Sequence, residues 1–283
     1  PCRALYDLED LHGHTLARNK ALLSLKDYNL YEHLQALVDA GVTSFKIEGR
    51  LKNESYVRNV VAAYSARLDE IVAASGGRLA RASRGRSVPG FAPSLDKTFN
   101  RGYTSLYISG KRAPGWSSMD APKGMGEKVG VVTGISADGR TVKVKRLPAV
   151  TLSNGDGLSF PDGKGGVIGF KADVAREDSV TTSHKVDGLF PGAVLFRNYD
   201  ITFERDLSSH PDSRLLTVPV SVSCTGKGIR VSCEGCLVER EFAEVANNTD
   251  RQLLTIREQL SKVTDQFSFS VSRIDVTGSA VPF

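Results

Sequence analysis

Apolar residues recur at helical spacing in two early stretches. Leu30, Leu34, Leu37 and Val38 share one face after Asn29, a residue type that caps helices, and Gly41 closes the run. Val57, Val60, Val61, Tyr64, Leu68 and Ile71 predict a second helix over about 53–74. Residues 21–25, ahead of the first helix, are a short apolar run of buried-strand type, and residues 42–47, between the helices, read as the next strand. The order is β-α-β-α, the unit of a parallel sheet covered by helices. Two strands cannot complete such a sheet, so residues 1–77 are expected to be the end of a larger α/β domain begun upstream. Pro1-Cys2-Arg3 opens without an initiator Met and Ala280-Val281-Pro282-Phe283 ends inside an apolar run, which predicts an internal fragment.

Gly76-Gly77 breaks the second helix, and residues 81–94, rich in Arg, Ser, Gly and Pro, have linker chemistry. Residues 78–125 are therefore set apart as a basic linker. From 126 to 207 the pattern becomes short strands and turns: 129–132 and 141–145 flank Asp138-Gly139, a hairpin signal, and further strands are predicted at 157–160, 166–170 and 193–196. This reads as a small β-barrel or sandwich. Residues 215–283 read as an α+β unit, with Val218, Val220, Val222 and Cys224 alternating on one face, a helix over 250–263 and a strand from 267.

At 283 residues and 40% hydrophobic, the chain can bury more than one core. No apolar run approaches the 18 or so residues of a membrane-spanning helix, which predicts a soluble protein without a membrane partner. Four cysteines do not suggest a disulfide scaffold and favour a reducing, cytoplasmic setting. The net charge of +5 is unevenly spread: from Arg78 to Arg112 there are eight basic residues against the single acid Asp96. Arg81, Arg84, Arg86, Arg101, Lys111 and Arg112 are the candidate RNA-binding residues, because phosphate neutralisation releases condensed counterions. A solvated linker has the same composition. Aromatic residues interleave with these cations at Phe99, Tyr103 and Tyr107, a mixture suited to base stacking or to anchoring a linker.

Candidate chemistry sits at the predicted strand ends. Lys46, Glu48 and Arg50 end one strand, and Lys26 and Asp27 end the one before it, which places opposite charges at the rim where α/β folds bind ligands. An ion-pair network closing that rim would use the same residues. Lys46 and Glu48 should share a face, with Ile47 opposite. His12 and His14 lie near Cys2 in sequence, a superficial nucleophile–base pattern. Cys233-Glu234-Gly235-Cys236 has metal-ligand spacing, with His210 as a possible fourth ligand. It also reads as a two-residue hairpin turn, and the apolar alternation of their strands predicts Cys224 and Cys233 in a core.

Pro1-Cys2-Arg3, Leu22-Leu23-Ser24-Leu25-Lys26-Asp27, the run Ala40-Gly41-Val42-Thr43-Ser44-Phe45-Lys46-Ile47-Glu48-Gly49-Arg50 and Tyr56-Val57 together resemble the signature region of peptidase family U-32. Phe99-Asn100-Arg101-Gly102-Tyr103 and Met125-Gly126-Glu127-Lys128-Val129-Gly130 match later landmarks of its longer members, including the ribosomal RNA cytidine hydroxylase type. The resemblance implies an intracellular bacterial protein in which the carboxyl-terminal part of a TIM-like barrel is followed by a small β-barrel domain and the α+β unit. It also implies an iron–sulfur cluster in the intact parent, with Cys2 as one ligand and the others upstream, so the fragment alone should carry none. The activity implied is prephenate-dependent hydroxylation of a cytidine or uridine in rRNA or tRNA. Lys46, Glu48, Arg50, Lys26 and Asp27 would then hold the small acid or the target base. A collagenase-like peptidase and a non-catalytic RNA-binding or assembly factor are the rival functions, and no nucleophile–base pair is evident for the former.

Overall fold

The computed structural model describes residues 4–112, 115–119, 123–164, 166–210, 213–225, 228–278 and 281–282. In chain order the elements are β1 (Tyr6–Glu9), β2 (Thr15–Lys20), β3 (Asp27–Tyr28), α1 (Leu34–Asp39), α2 (Glu54–Ala74), β4 (Arg86–Val88), β5 (Tyr103–Thr104), β6 (Glu127–Ile135) and β7 (Thr141–Arg146). There follow β8 (Gly157–Pro161), β9 (Val167–Lys171), β10 (Val174–Ala175), β11 (Ser179–Thr181), β12 (Val194–Tyr199), α3 (Ile201–Ser209), β13 (Ser213–Thr225), β14 (Gly228–Cys233), β15 (Cys236–Glu241), α4 (Thr249–Leu260) and β16 (Phe267–Val276). The chain is mixed α/β and divides into two compact units, Pro1–Arg78 with Phe91–His210, and Leu79–Gly90 with Pro211–Phe283.

The main sheet of the first unit has seven strands in the order β10-β11-β7-β6-β12-β8-β9, all paired antiparallel. Its core follows from period-two alternation: Val142 and Val144 of β7 are buried while Lys143 and Lys145 face out. Val129, Val132, Leu158, Phe160, Val180 and Leu195 complete the cluster. Each such side chain contributes about 1.5–3 kcal/mol by leaving water. The barrel expected here is a curled, open sheet, since β10 and β9 are the two ends of the strand path.

Helix α2 starts where Asn53 accepts a hydrogen bond from the Tyr56 N–H at 3.1 Å. It buries Asn59, Val60, Ala62, Ala63 and Ile71. Ala62 packs with Phe91, Phe203 and Leu207, the two phenyl rings meeting edge to face at 5.8 Å. Asn59 is fully buried and satisfied: its amide donates to the Ser94 carbonyl (2.7 Å) and Thr98 Oγ1 (3.0 Å), and its carbonyl accepts from the Ser94 N–H (2.8 Å). That clamp ties residues 94–98 to the helix.

Two predicted strands are absent as strands. Residues 42–49 have no strand partner and Val42 is exposed, while residues 21–25 form a turn held to residues 117–119 by a bridge at Leu25 and by hydrogen bonds from the Ala21 N–H to the Met119 carbonyl and from the Ser118 N–H to the Ser24 carbonyl. Strand character is completed only by a neighbour that supplies hydrogen bonds, and no described strand pairs with 42–49. The parallel β-α-β-α sheet is therefore not formed. The parallel pairing in this region is limited to the two-residue bridge of β3 with β5, Asp27 opposite Tyr103.

In the second unit β15-β14-β13-β16 form one sheet, with β16 parallel to β13, while β4 pairs antiparallel with the start of β13. Asn248 caps α4 by accepting from the Arg251 N–H at 2.9 Å. Val220, Val222, Cys224, Ile256 and Val271 form the core. Part of the expected linker is thus a strand: Arg86–Val88 pairs with Ser213–Leu215. Cys224 is buried as expected. Cys233 is only partly buried and Cys236 is exposed, a correction to the core position expected for Cys233. Their hairpin ends on an edge strand whose six residues are all exposed, so no layer covers the tip.

Candidate functional site

Lys46 and Glu48 lie on one face of the unpaired segment, as their spacing predicts, while Phe45 and Ile47 turn the other way and are partly buried. They form an ion pair at 2.9 Å with both side chains well exposed. The hydrogen bond from Lys46 holds the Glu48 carboxyl below its ordinary pKa, with Lys46 and then Arg50 adding charge attraction. Arg50 is also exposed. The three charges share a stretch of surface but line neither of the clefts described below.

The structure joins two residues expected to act separately. Asp27 accepts from the Arg101 guanidinium and from the Arg101 N–H, both at 2.8 Å, with each side chain 19% exposed. The pair fastens β3 to β5, and Arg101 is spent on that carboxylate. Lys26 runs across Gly102, its Cδ 3.5 Å from where a Cβ would stand. Beside it, Tyr103 donates to the Leu95 carbonyl at 2.6 Å, and burial pushes its phenol well above the usual value.

The other candidate RNA-binding cations divide between the two units. Arg84 ion-pairs with Glu234 while its carbonyl accepts from Arg214, and Arg86 lies on β4. Arg81 is partly buried and belongs, like these, to the second unit. Lys111 and Arg112 are exposed in the first unit, with the Arg112 guanidinium 4.8 Å from the centre of the Trp116 ring. The six thus fall three in each unit.

Among the described residues of the first unit, two clefts bear on the site. One, of about 340 Å³, is lined by Asn29, Tyr31, Glu32, His33, Asp96, Tyr103 and Thr104 among others. Burial first, and then the charge of Glu127, raise the Asp96 carboxyl above its ordinary value.

The other, of about 310 Å³, is bounded by Leu51, Lys52, Asn53, Lys97, Thr98, Phe99, Gly124, Gly126, Asn198, Tyr199 and Glu204. Lys52 Nζ stands 3.1 Å from the centre of the Phe99 ring and 5.4 Å from that of Tyr56. Tyr199 is 45% exposed. Asn53 brings the amino end of α2 to this wall, where the helix dipole favours anions. Gly126 is required on the opposite wall: its φ is +82° and a Cβ there would meet the Arg197 carbonyl at 2.1 Å.

Behind this cleft lies a buried charge cluster. Arg197, 5% exposed, is held by Glu127, Asp156 at 3.2 Å and Asp200 at 3.1 Å, and it donates to the Thr151 carbonyl at 2.8 Å. Asp156 also accepts from the Ser153 and Ile201 N–H groups, and Asp200 from the Phe203 N–H at the start of α3. Lys97 closes the set by bonding Asp200 at 2.7 Å. Burial raises the Asp200 carboxyl, but Lys97, the Phe203 N–H and Arg197 outweigh it and leave the value lowered. Sequence reading singled out neither Arg197 nor the cleft residues Lys52 and Tyr199. The run Arg197-Asn198-Tyr199-Asp200, which puts two charges at the carboxyl end of an otherwise apolar strand, was the available signal.

Cys2 lies outside the described residues. Among the described residues no group of three or more His, Cys, Asp or Glu could hold a metal ion, so they supply no set of cluster ligands. His12 and His14 both serve Asp10, which accepts from each backbone N–H at 2.8 Å and from the His14 ring at 2.9 Å. His210 is bonded to the Asp206 carbonyl and the Ser209 hydroxyl. No described helix is long and apolar enough to cross a membrane.

Residues 1–118 match the model of Peptidase family U32. The chain is 33% identical over 280 residues to the 23S rRNA 5-hydroxycytidine C2501 synthase of Escherichia coli (strain K12), covering 93% of this chain and 41% of that protein. It is 28% identical over 188 residues to a collagenase of Porphyromonas gingivalis, 66% of this chain and 50% of the collagenase. An uncharacterized protease of Methanocaldococcus jannaschii matches at 32% identity over 113 residues, 38% of this chain and 26% of that protein. The chain thus spans half or less of each of these relatives. No solved structure matches it.

Proposed function

We infer, from a chain whose residues 1–118 belong to peptidase family U32, that it is part of an rRNA-modifying protein. The observation that carries this is the reach of the match to the rRNA synthase. At 93% of the chain it extends through both compact units, whereas the collagenase match covers 66%. The cleft between Lys52 and Tyr199 supports the reading. It combines two lysines, a helix amino end and a half-exposed aromatic ring in a volume suited to one nucleotide. A base would stack on Tyr199 while Lys52 faces the phosphate and Lys97 stays on Asp200. Lys111 and Arg112, and separately Arg81, Arg84 and Arg86, would add phosphate contacts, while Arg101 acts by ordering β3 and β5 through Asp27.

The finer form of the proposal is prephenate-dependent hydroxylation of a cytidine or uridine, in the cytoplasm, on rRNA or tRNA. Residues 21–25 and 42–47 would be strands of a TIM-like barrel whose remaining strands belong to a longer protein, as the length of the relatives suggests. Lys46 and Arg50 would then receive the carboxylates of the small acid, with Glu48 holding Lys46 and Lys26 flanking the rim. Cys2 would be one thiolate ligand of an iron–sulfur cluster in that longer protein, so Cys2→Ser should lower its iron content.

The test is RNA binding by the purified chain, followed by fluorescence anisotropy with single-stranded rRNA fragments. Tyr199→Ala should weaken binding by about 1–3 kcal/mol, the value of one stacked base. Lys52→Gln should flatten the salt dependence by about 0.7 log units per log unit of salt. Binding unchanged by both substitutions removes the cleft from the proposal. Gelatin cleavage by the full-length protein, abolished by His14→Ala, would favour the peptidase reading instead.

A further inference from the structure

The hairpin of β14 and β15 turns on Glu234 and Gly235, whose φ values are both positive, +44° and +89°. That is the signature of a type I′ turn, whose twist matches the strands it joins. The turn sets Cys233 directly opposite Cys236 in the strand register. Directly opposed residues of an antiparallel pair have Cα atoms roughly 4.5–5.5 Å apart, within the roughly 4.4–6.8 Å that a disulfide spans. Both thiols are free, Cys233 partly buried and Cys236 exposed, so reagents in water reach them. Cys224, on the same sheet, is fully buried, and burial pushes its thiol up.

Arg84 gives this tip its charge. Its guanidinium ion-pairs with Glu234, the residue next to Cys233. Arg214 in turn fixes Arg84 by donating twice to its carbonyl. A held cation beside a partly exposed thiol draws an anionic disulfide toward it.

We propose that Cys233 and Cys236 are a reversible thiol–disulfide couple that exchanges with low-molecular-weight disulfides, with Cys233 attacking and Cys236 resolving. The Cys233 thiolate attacks one sulfur of oxidised glutathione, forming a mixed disulfide and releasing one glutathione thiolate. The Cys236 thiolate then attacks the Cys233 sulfur and releases the second glutathione. Two electrons pass from the cysteine pair to glutathione, and the two thiol protons end on the released glutathiones at neutral pH. Closure across a two-residue turn draws the Cβ atoms nearer than the ladder holds them, so the bond is strained and readily reduced rather than structural. The couple is independent of the RNA reading, since that reading uses neither Cys233 nor Cys236.

The whole chain is equilibrated anaerobically in glutathione buffers of graded ratio, quenched in acid, alkylated and mapped by mass spectrometry. The expected product is an internal Cys233–Cys236 disulfide that forms and reverses with the ratio while Cys224 stays reduced. Cys236→Ser should trap glutathione on Cys233. Arg84→Gln should slow that trapping severalfold without altering the far-ultraviolet spectrum. Absence of the internal disulfide in fully oxidised glutathione, or only glutathione adducts and linked dimers through Cys236, would overturn the couple. Trapping at an unchanged rate in Arg84→Gln would overturn the role given to Arg84.

Discussion

The sheet of residues 127–199 and the two runs 21–25 and 42–47 in the segment of residues 21–50 were both read from the sequence as strands, yet only the first became a sheet. In the sheet, β6 finds β7 across a five-residue connection and β8 finds β9 across a similar one, so alternation such as Val142-Lys143-Val144-Lys145 closes on a local partner. In the segment, the alternation is just as clear, with Lys46 and Glu48 opposite Phe45 and Ile47, but a parallel strand needs a distant neighbour. A pattern states which face a strand would bury. It does not state what covers that face.

The largest effect that would sharpen this contrast is expected at Arg197. Arg197→Met leaves Asp156 buried without its cation and Asp200 with Lys97 alone, and should destabilise the first unit by about 3–5 kcal/mol in urea unfolding. A loss under 1 kcal/mol would show that the cluster does not hold the sheet. The same cluster predicts acid sensitivity. The Asp200 carboxyl is lowered in the folded chain, so its stabilisation is present above the unfolded carboxylate value and is lost as pH falls through the folded one. In Asp200→Asn the acid limb of the stability profile should flatten.

A smaller effect is expected at Asn59, whose three hydrogen bonds pin residues 94–98 to α2. Asn59→Ala should cost about 1–3 kcal/mol, because the Ser94 N–H and carbonyl lose their partner. Unchanged thermal stability would mean that water replaces the amide at no cost.

The smallest effect is expected in the segment itself. Lys46 and Glu48 are exposed, and Glu48→Gln should leave the urea unfolding midpoint unchanged within measurement error. Amides 42–49 should exchange with solvent far faster than those of β7. Strong protection of those amides would show that the segment has a strand partner after all and would restore the parallel sheet.

How much could be read in advance follows the same line. The helix at 54–74, the strands β6, β7, β8, β9 and β12, and the order of hairpin, helix and strand in the second unit all follow from local periodicity and turn residues. β10 and β11, of two and three residues, are too short to carry a period. The link of Arg86–Val88 to β13 spans far too much chain for any local signal. The site divides likewise: the shared face of Lys46 and Glu48 was legible from strand geometry. The pairing of Asp27 with Arg101 and the convergence of Lys52, Phe99 and Tyr199 depend on tertiary contacts that spacing does not encode.

The central claim is that the chain serves RNA modification. It is tested most directly by deleting the gene in its source organism and analysing nucleosides from digested rRNA and tRNA by mass spectrometry. The account predicts loss of one pyrimidine nucleoside carrying an added oxygen, restored by the full-length gene. An unchanged nucleoside profile would contradict it.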